Sequence, residues 1–190
     1  QLWRTTYDVR DMWKDVVKQG GMGILDIVNI TAPLAKYVRP GQWPDMDMLV
    51  VGLSGKGGPS SDLGGVGCTQ TEYQTQMSMS CMMASPLAMT NDLRKVSEDD
   101  RRILLNPEII AINQDPLGKA AERRVMTGSY QIFVRQLANG SHAVALLNTS
   151  DKPLVLTADF ARLGIPGKYT IRDVWQHKDI ARNASKWKGR

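Results

Sequence analysis

Tyr130-Gln-Ile-Phe-Val-Arg135, then Asn139-Gly140, then His142-Ala-Val-Ala-Leu-Leu147, decides the character of the C-terminal part of this chain. Two runs of spaced apolar residues flank an Asn-Gly pair, the strongest short-range signal for a β-hairpin, because both turn residues accept the positive φ that a tight reversal demands. Two more strand-like runs come after it, Leu154 to Ala158 and Tyr169 to Val174, separated by Gly164, Pro166 and Gly167. The C-terminal part therefore reads as all-β and antiparallel.

Upstream of the hairpin the pattern differs. Val9, Met12, Trp13, Val16 and Val17 have the i, i+3, i+4, i+7, i+8 spacing of an amphipathic helix ending at Gly20-Gly21. A second, weaker helical stretch leads to Pro40-Gly41. Asp47-Met-Leu-Val-Val-Gly52 reads as a short buried strand closed by a glycine, and the Gly-rich run Leu53 to Gly67 is too long for a routine connection. Tyr73, Met77, Ser80, Cys81 and Ala84 then share one helical face until Ser85-Pro86 ends the helix. Leu87 to Thr90 reads as another buried strand, Ser97 with Asp100 as a capping box, and Asn106-Pro107 as an N-cap followed by a first-turn proline. This alternation is an α/β pattern. The change of character falls near residues 118 to 128, which divides the chain into residues 1–120 and 121–190; no repeat or low-complexity segment occurs.

Composition narrows the functional classes. With 42% apolar residues the chain can bury an ordinary core. The net charge of +5 is the balance of 24 Lys and Arg against 19 Asp and Glu, and the basic residues are scattered in ones and twos, which is a solvated surface and not a nucleic-acid footprint. Two cysteines, Cys68 and Cys81, with no CxxC, indicate free thiols and neither a zinc site nor a disulfide framework. No apolar run approaches the 18 or so residues that cross a membrane. Four sequons, at Asn29, Asn139, Asn148 and Asn183, match the glycosylation acceptor pattern.

Four segments in order, covering essentially the whole chain, resemble glycoside hydrolase family 27, the α-galactosidase and α-N-acetylgalactosaminidase family. They are Trp3-Arg4-Thr-Thr-Tyr-Asp8 with Trp13, Gly41-Gln-Trp-Pro-Asp-Met-Asp-Met-Leu49, Ser85-Pro-Leu-Ala-Met-Thr-Asn-Asp-Leu-Arg94, and Ala111-Ile-Asn-Gln-Asp-Pro-Leu-Gly118. Members of that family fold as a (β/α)8 barrel followed by an antiparallel β-sandwich. The resemblance thus implies that residues 1–120 are the last part of a catalytic barrel, roughly its sixth to eighth βα units, since a whole barrel takes about 250 residues. Residues 121–190 become a sandwich, and the fold is expected to be incomplete at both ends, with the N-terminal half of the barrel as its missing companion.

The same resemblance assigns roles. Asp8 is implied as the acid/base of a retaining glycosidase, Arg4 as a contact to the sugar, and Asp47 and Met48 as lining of the sugar pocket. Retaining enzymes need two carboxyl groups about 5 to 5.5 Å apart, and the nucleophile is expected upstream of Gln1. The implied reaction is exo-hydrolysis of terminal α-linked galactose from an oligo- or polysaccharide, with no metal or organic cofactor, in a secreted, periplasmic or, in a eukaryote, lysosomal protein. Specificity for α-N-acetylgalactosamine or β-L-arabinopyranose stays open, as does a non-catalytic, sugar-binding piece; the 190 residues alone are expected to show no turnover. Two departures stand out: Pro44 and Met46 replace the asparagine and proline common in the second segment, and Tyr7 stands where a small residue usually precedes the catalytic aspartate.

The residues taken by themselves allow plainer readings. Arg4 and Asp8, four apart, make an ordinary exposed ion pair in most proteins. Asp45 and Asp47 alternate along an extended stretch and so face opposite sides, as in a turn or a metal-ligand pair, but no third ligand accompanies them. The methionines from Met77 to Met89 read as core packing. His142, in a strand, and His177, in a turn, lie far from the site segments.

Overall fold

Short parallel contacts frame the first part of the molecule. The computed structural model describes residues 1–18, 20–56 and 64–189. In it β1 (Leu2–Arg4) pairs in parallel with β2 (Trp43–Asp45), in the register Leu2↔Trp43, Trp3↔Pro44, Arg4↔Asp45. A single bridge, Leu49↔Met89, extends the parallel order outward. Leu49 donates its amide to the Ala88 carbonyl at 2.7 Å, and the Thr90 hydroxyl donates to the Leu49 carbonyl at 2.9 Å. Parallel neighbours require crossovers, and the helices supply them.

Those helices are α1 (Ile24–Thr31), continued by the 3-10 stretch Ala32–Tyr37, then α2 (Gln70–Met82), α3 (Glu98–Leu104) and α4 (Pro107–Asn113). The starts obey local chemistry. Thr69 and Glu72 cap α2 reciprocally. Asn106 accepts from the amides of Glu108 and Ile109 ahead of Pro107. Ser97 caps α3 by accepting from the Asp100 amide, but the Asp100 carboxylate takes the Ser97 hydroxyl and not its amide, so half of the expected box forms. The buried face of α2 carries Tyr73, Met77, Ser80 and Cys81 as the spacing predicts, joined by Gln76, Met79 and Met82.

Three expectations for this part change. Val9 to Val17 is not a helix: Val9 and Val16 each bridge to Met22, and Asp15 turns at φ +89°. Its apolar residues do not share a face, since Val9 is fully buried while Val16 is 57% exposed. Amides that would serve a helix go elsewhere, Arg10 donating to the Met22 carbonyl at 2.8 Å. Residues 47–52 are buried as expected from Leu49 to Val51, yet they pair only at Leu49. Leu87 to Thr90 likewise pairs only at Met89 and is largely not buried, Thr90 alone being buried. The middle of the Gly-rich run, 57–63, lies outside the described residues.

Beyond Gly118 the backbone is antiparallel. β3 (Glu122–Met126), β4 (Tyr130–Gln136) and β5 (His142–Asn148) form one sheet in that order, β6 (Leu156–Asp159) pairs with β9 (Lys186–Gly189), and β7 (Tyr169–Asp173) pairs with β8 (Lys178–Ala184). The β4–β5 ladder closes at Gln136↔His142. In its loop Asn139 Oδ1 accepts from the Ser141 amide, and Gly140 takes φ +82°.

Alternation along β4 joins the two parts. Ile132 and Val134 face a core with Ala158, Phe160, Leu163 and Ile165. Phe133 belongs instead to the core that runs through α1 and α2. Next in that direction is Arg135, fully buried, its guanidinium donating to the carbonyls of Cys81 and Asn113 near the ends of α2 and α4, where helix carbonyls carry partial negative charge. Burial holds its pKa below the ordinary arginine value. Two further contacts join the parts: Arg172 clasps Glu108 with two nitrogens at 2.7 Å each, and the Trp175 indole donates to Ser78 at 3.2 Å. Both cysteines are free thiols, and burial pushes that of Cys81 up to about 12.

Candidate active site

Arg4 ends β1 and Asp45 ends β2, and because the strands are parallel and in register, the segments that leave them open on the same side. That geometry gathers residues more than forty positions apart. Arg4 Nη2 lies 2.9 Å from Asp8 Oδ1 and 2.5 Å from Asp47 Oδ2, so one guanidinium nitrogen serves both carboxylates.

The two carboxylates differ in access. The Asp8 side chain is 77% exposed and that of Asp47 only 6%. Asp8 is therefore open to a ligand, whereas Asp47 is part of the framework. Asp47 reaches its place through a left-handed backbone, φ +70°, stabilised by its own amide donating to Asp45 Oδ1 at 2.9 Å. Such a conformation costs an ordinary residue about 1 to 2 kcal/mol, and the short polar side chains of Asp and Asn tolerate it best. The extended stretch that would send Asp45 and Asp47 to opposite sides thus bends at Asp47.

Asp47 Oδ2 also accepts from the Val9 amide at 2.7 Å. Val9 adjoins Asp8, so the buried carboxylate fixes the backbone of its exposed neighbour. No donor among the described residues occupies Asp47 Oδ1. Met48 is half-buried and is held through its carbonyl by Gln76 Nε2 at 3.1 Å. Tyr7 stands 72% exposed beside Asp8. His142 and His177 are remote: the first lies in β5 and the second contacts Glu108 at 2.8 Å.

Chemically, the cluster offers one exposed carboxyl group, a cation beside it, and a buried carboxylate with one oxygen that takes no hydrogen bond from the described residues. Among the described residues no group of three His, Cys, Asp or Glu could hold a metal ion. A separate cavity of about 550 Å³ lies between α2, α4 and the faces of β5 and β7; none of Arg4, Asp8, Asp47 and Met48 lines it.

Supporting residues escaped the sequence reading. Gln76 is buried on α2 and clamps the Val50 amide at 3.0 Å as well as the Met48 carbonyl; a long polar side chain on a largely apolar helical face was the signal. Ser85 accepts from the Met46 amide at 3.0 Å. Asp11 is fully buried and accepts from the amides of Gly55 and Cys68. It was hidden inside the apparent helical pattern.

Comparison with known proteins agrees across the whole chain. Residues 1–115 match the family profile described as alpha galactosidase A, and residues 127–188 match the alpha galactosidase C-terminal beta sandwich domain. α-Galactosidase 3 of Arabidopsis thaliana is 32% identical over 188 residues, 96% of this chain and 38% of that protein. The α-N-acetylgalactosaminidase of Gallus gallus is 32% identical over 185 residues, 95% of this chain and 42% of that protein. A crystal structure of a Bacteroides fragilis protein assigned as an α-galactosidase/melibiase superposes with a TM-score of 0.91 at 40% identity, covering 99% of this chain and 39% of that one. The chain spans about two fifths of the length of these relatives. With this likeness, β1, β2 and the Leu49–Met89 bridge are neighbouring strands of a (β/α)8 barrel, and β3 to β9 belong to an antiparallel β-sandwich.

Proposed function

This chain belongs to the α-galactosidase family, glycoside hydrolase family 27, and from that premise we propose that the protein carrying it is an exo-α-galactosidase that releases terminal galactose with retention, Asp8 acting as acid/base. The observation that supports this most is the Arg4–Asp8–Asp47 cluster at the C-terminal ends of parallel strands, where barrel enzymes work.

In the first step a nucleophilic carboxylate, which we place outside these 190 residues, attacks the anomeric carbon while Asp8 gives its proton to the departing glycosidic oxygen. In the second, Asp8 takes a proton from water as that water attacks the same carbon, the bond to the nucleophile breaks, and galactose leaves. Arg4 donates a hydrogen bond to the Asp8 carboxylate and offers its remaining N–H groups to the sugar. Asp47 Oδ1 accepts from sugar hydroxyls, and Met48 covers an apolar part of the ring. Residues 1–120 form the barrel part of this machinery and 121–190 the sandwich. Cleavage of an oligo- or polysaccharide suits a secreted, periplasmic or lysosomal setting. Among the described residues no helix is long and apolar enough to cross a membrane.

The test uses the full gene product that carries these residues and the nitrophenyl glycosides of α-galactose, α-N-acetylgalactosamine and β-L-arabinopyranose. The α-galactoside is expected to be the preferred substrate; turnover of either other sugar alone would refute the galactose assignment. Asp8→Ala should lower kcat/KM on an unactivated substrate by about 10²- to 10⁴-fold. An unchanged rate would remove Asp8 from the mechanism.

A further inference from the structure

Asp8 itself is poorly anchored. Its side chain is exposed and, among the described residues, hydrogen-bonds to Arg4, itself 39% exposed. Its anchor must lie in the backbone that carries it. Val9 is fully buried with its amide on Asp47, and two residues further on Asp11 is also fully buried.

Among the described residues, none of Asp11's hydrogen-bond partners is a cation. Its Oδ2 accepts from the Gly55 amide at 2.5 Å, its Oδ1 from the Cys68 amide at 2.9 Å, and the Tyr73 hydroxyl bridges both oxygens at 2.9 Å. Its carbonyl takes the Gly67 amide at 2.9 Å. Gly65 packs so closely on the Asp11 backbone that a Cβ there would sit 2.5 Å from the Asp11 carbonyl oxygen. Tyr73 in turn accepts from the Ser54 amide at 2.8 Å. Burial, with Asp11 beside them, pushes the Cys68 thiol and the Tyr73 phenol above their ordinary values, so both stay protonated donors.

We propose that Asp11 is a positioning residue for Asp8: by clasping both stems of the Gly-rich run, at Gly55 and Cys68, and the Tyr73 hydroxyl, it fixes the segment that presents the acid/base carboxyl. The inference rests on the glycosidase reading and deepens it. The Asp8 segment is pinned on each side of Arg10, by Asp47 at Val9 and by the loop stems at Asp11, and this replaces the helix that its apolar spacing would favour. A carboxylate can accept at both oxygens. An asparagine cannot, because its amide nitrogen would face one of the three donors. Since a displacement of about 1 Å can cost about 100-fold in rate, loosening this clasp acts on chemistry before it acts on the fold.

The experiment compares Asp11→Asn with the wild type in the full gene product, on an unactivated disaccharide and on the dinitrophenyl glycoside of the same sugar, whose leaving group departs without a proton. The expected result is a cooperative melt, a loss of about 100-fold in kcat/KM on the disaccharide, and a far smaller loss on the dinitrophenyl substrate. Azide should raise turnover of the latter by attacking the anomeric carbon of the glycosyl-enzyme in place of water, a step that needs no base, and yield a glycosyl azide. Tyr73→Phe, which removes one donor and keeps the carboxylate, should show the same selectivity more weakly, and it carries the test if Asp11→Asn does not fold. Equal losses on both substrates, or none, in the folded variant overturn the role of Asp11 while leaving the function standing. A wild-type protein that cleaves none of the glycosides overturns both.

Discussion

The backbone up to Gly118 and the backbone from Glu122 onward are held by different means. In the barrel part, strand pairing is brief, and side chains do much of the work. Asp47 holds the Val9 amide, Asp11 holds those of Gly55 and Cys68, Gln76 holds that of Val50, and Thr90 holds the Leu49 carbonyl. In the sandwich part longer ladders carry more of the backbone, β4 and β5 pairing without a break from Tyr130↔Asn148 to Gln136↔His142, although β3–β4 and β7–β8 each shift register. The consequence is functional. A backbone fixed by side chains can be bent to aim a group such as Asp8, and a continuous ladder cannot.

If this contrast is right, substitutions should rank by region. The largest effect is expected where the two means meet: Arg135→Ala strips the buried guanidinium from two helix-end carbonyls and leaves a cavity, and should cost about 3 kcal/mol or more in urea unfolding of the full gene product. A change under about 1 kcal/mol, the net worth of one ordinary hydrogen bond, would mean that the apolar contacts around Phe133 and the Arg172–Glu108 and Trp175–Ser78 contacts join the parts without it. Gln76→Leu keeps the volume but orphans the fully buried Val50 amide, for about 1 to 3 kcal/mol by the same measurement. Gly140→Ala should be the mildest, about 1 kcal/mol, because a Cβ there meets nothing within 4 Å and only the positive φ resists it. A reversed order of the last two would break the contrast, by showing the turn to matter more than the tether.

Legibility in the sequence divides along the same line. The Asn139-Gly140 hairpin, the Asn106-Pro107 helix start and the buried face of α2 were readable because each depends on residues within a turn or two of one another. Val9 to Val17 misled for the complementary reason. Its spacing satisfies a helix, but the partners that defeat the helix are Met22, Gly55, Cys68 and Tyr73, and no local pattern announces them. The strand-like runs 47–52 and 87–90 were apolar enough to notice, yet their single bridge joins residues 49 and 89.

By itself, then, the sequence determined the α/β-then-β order, the helix caps, the hairpin, and, through four ordered segments, the family. Only the tertiary structure decided that Asp8 stands open while Asp47 and Asp11 are buried, and that Asp47 turns left-handed to meet Arg4. The physical reason is distance along the chain: the hydrogen bonds that make those choices join residues 38 to 62 positions apart, so their energies exist only after the barrel strands have closed on one another.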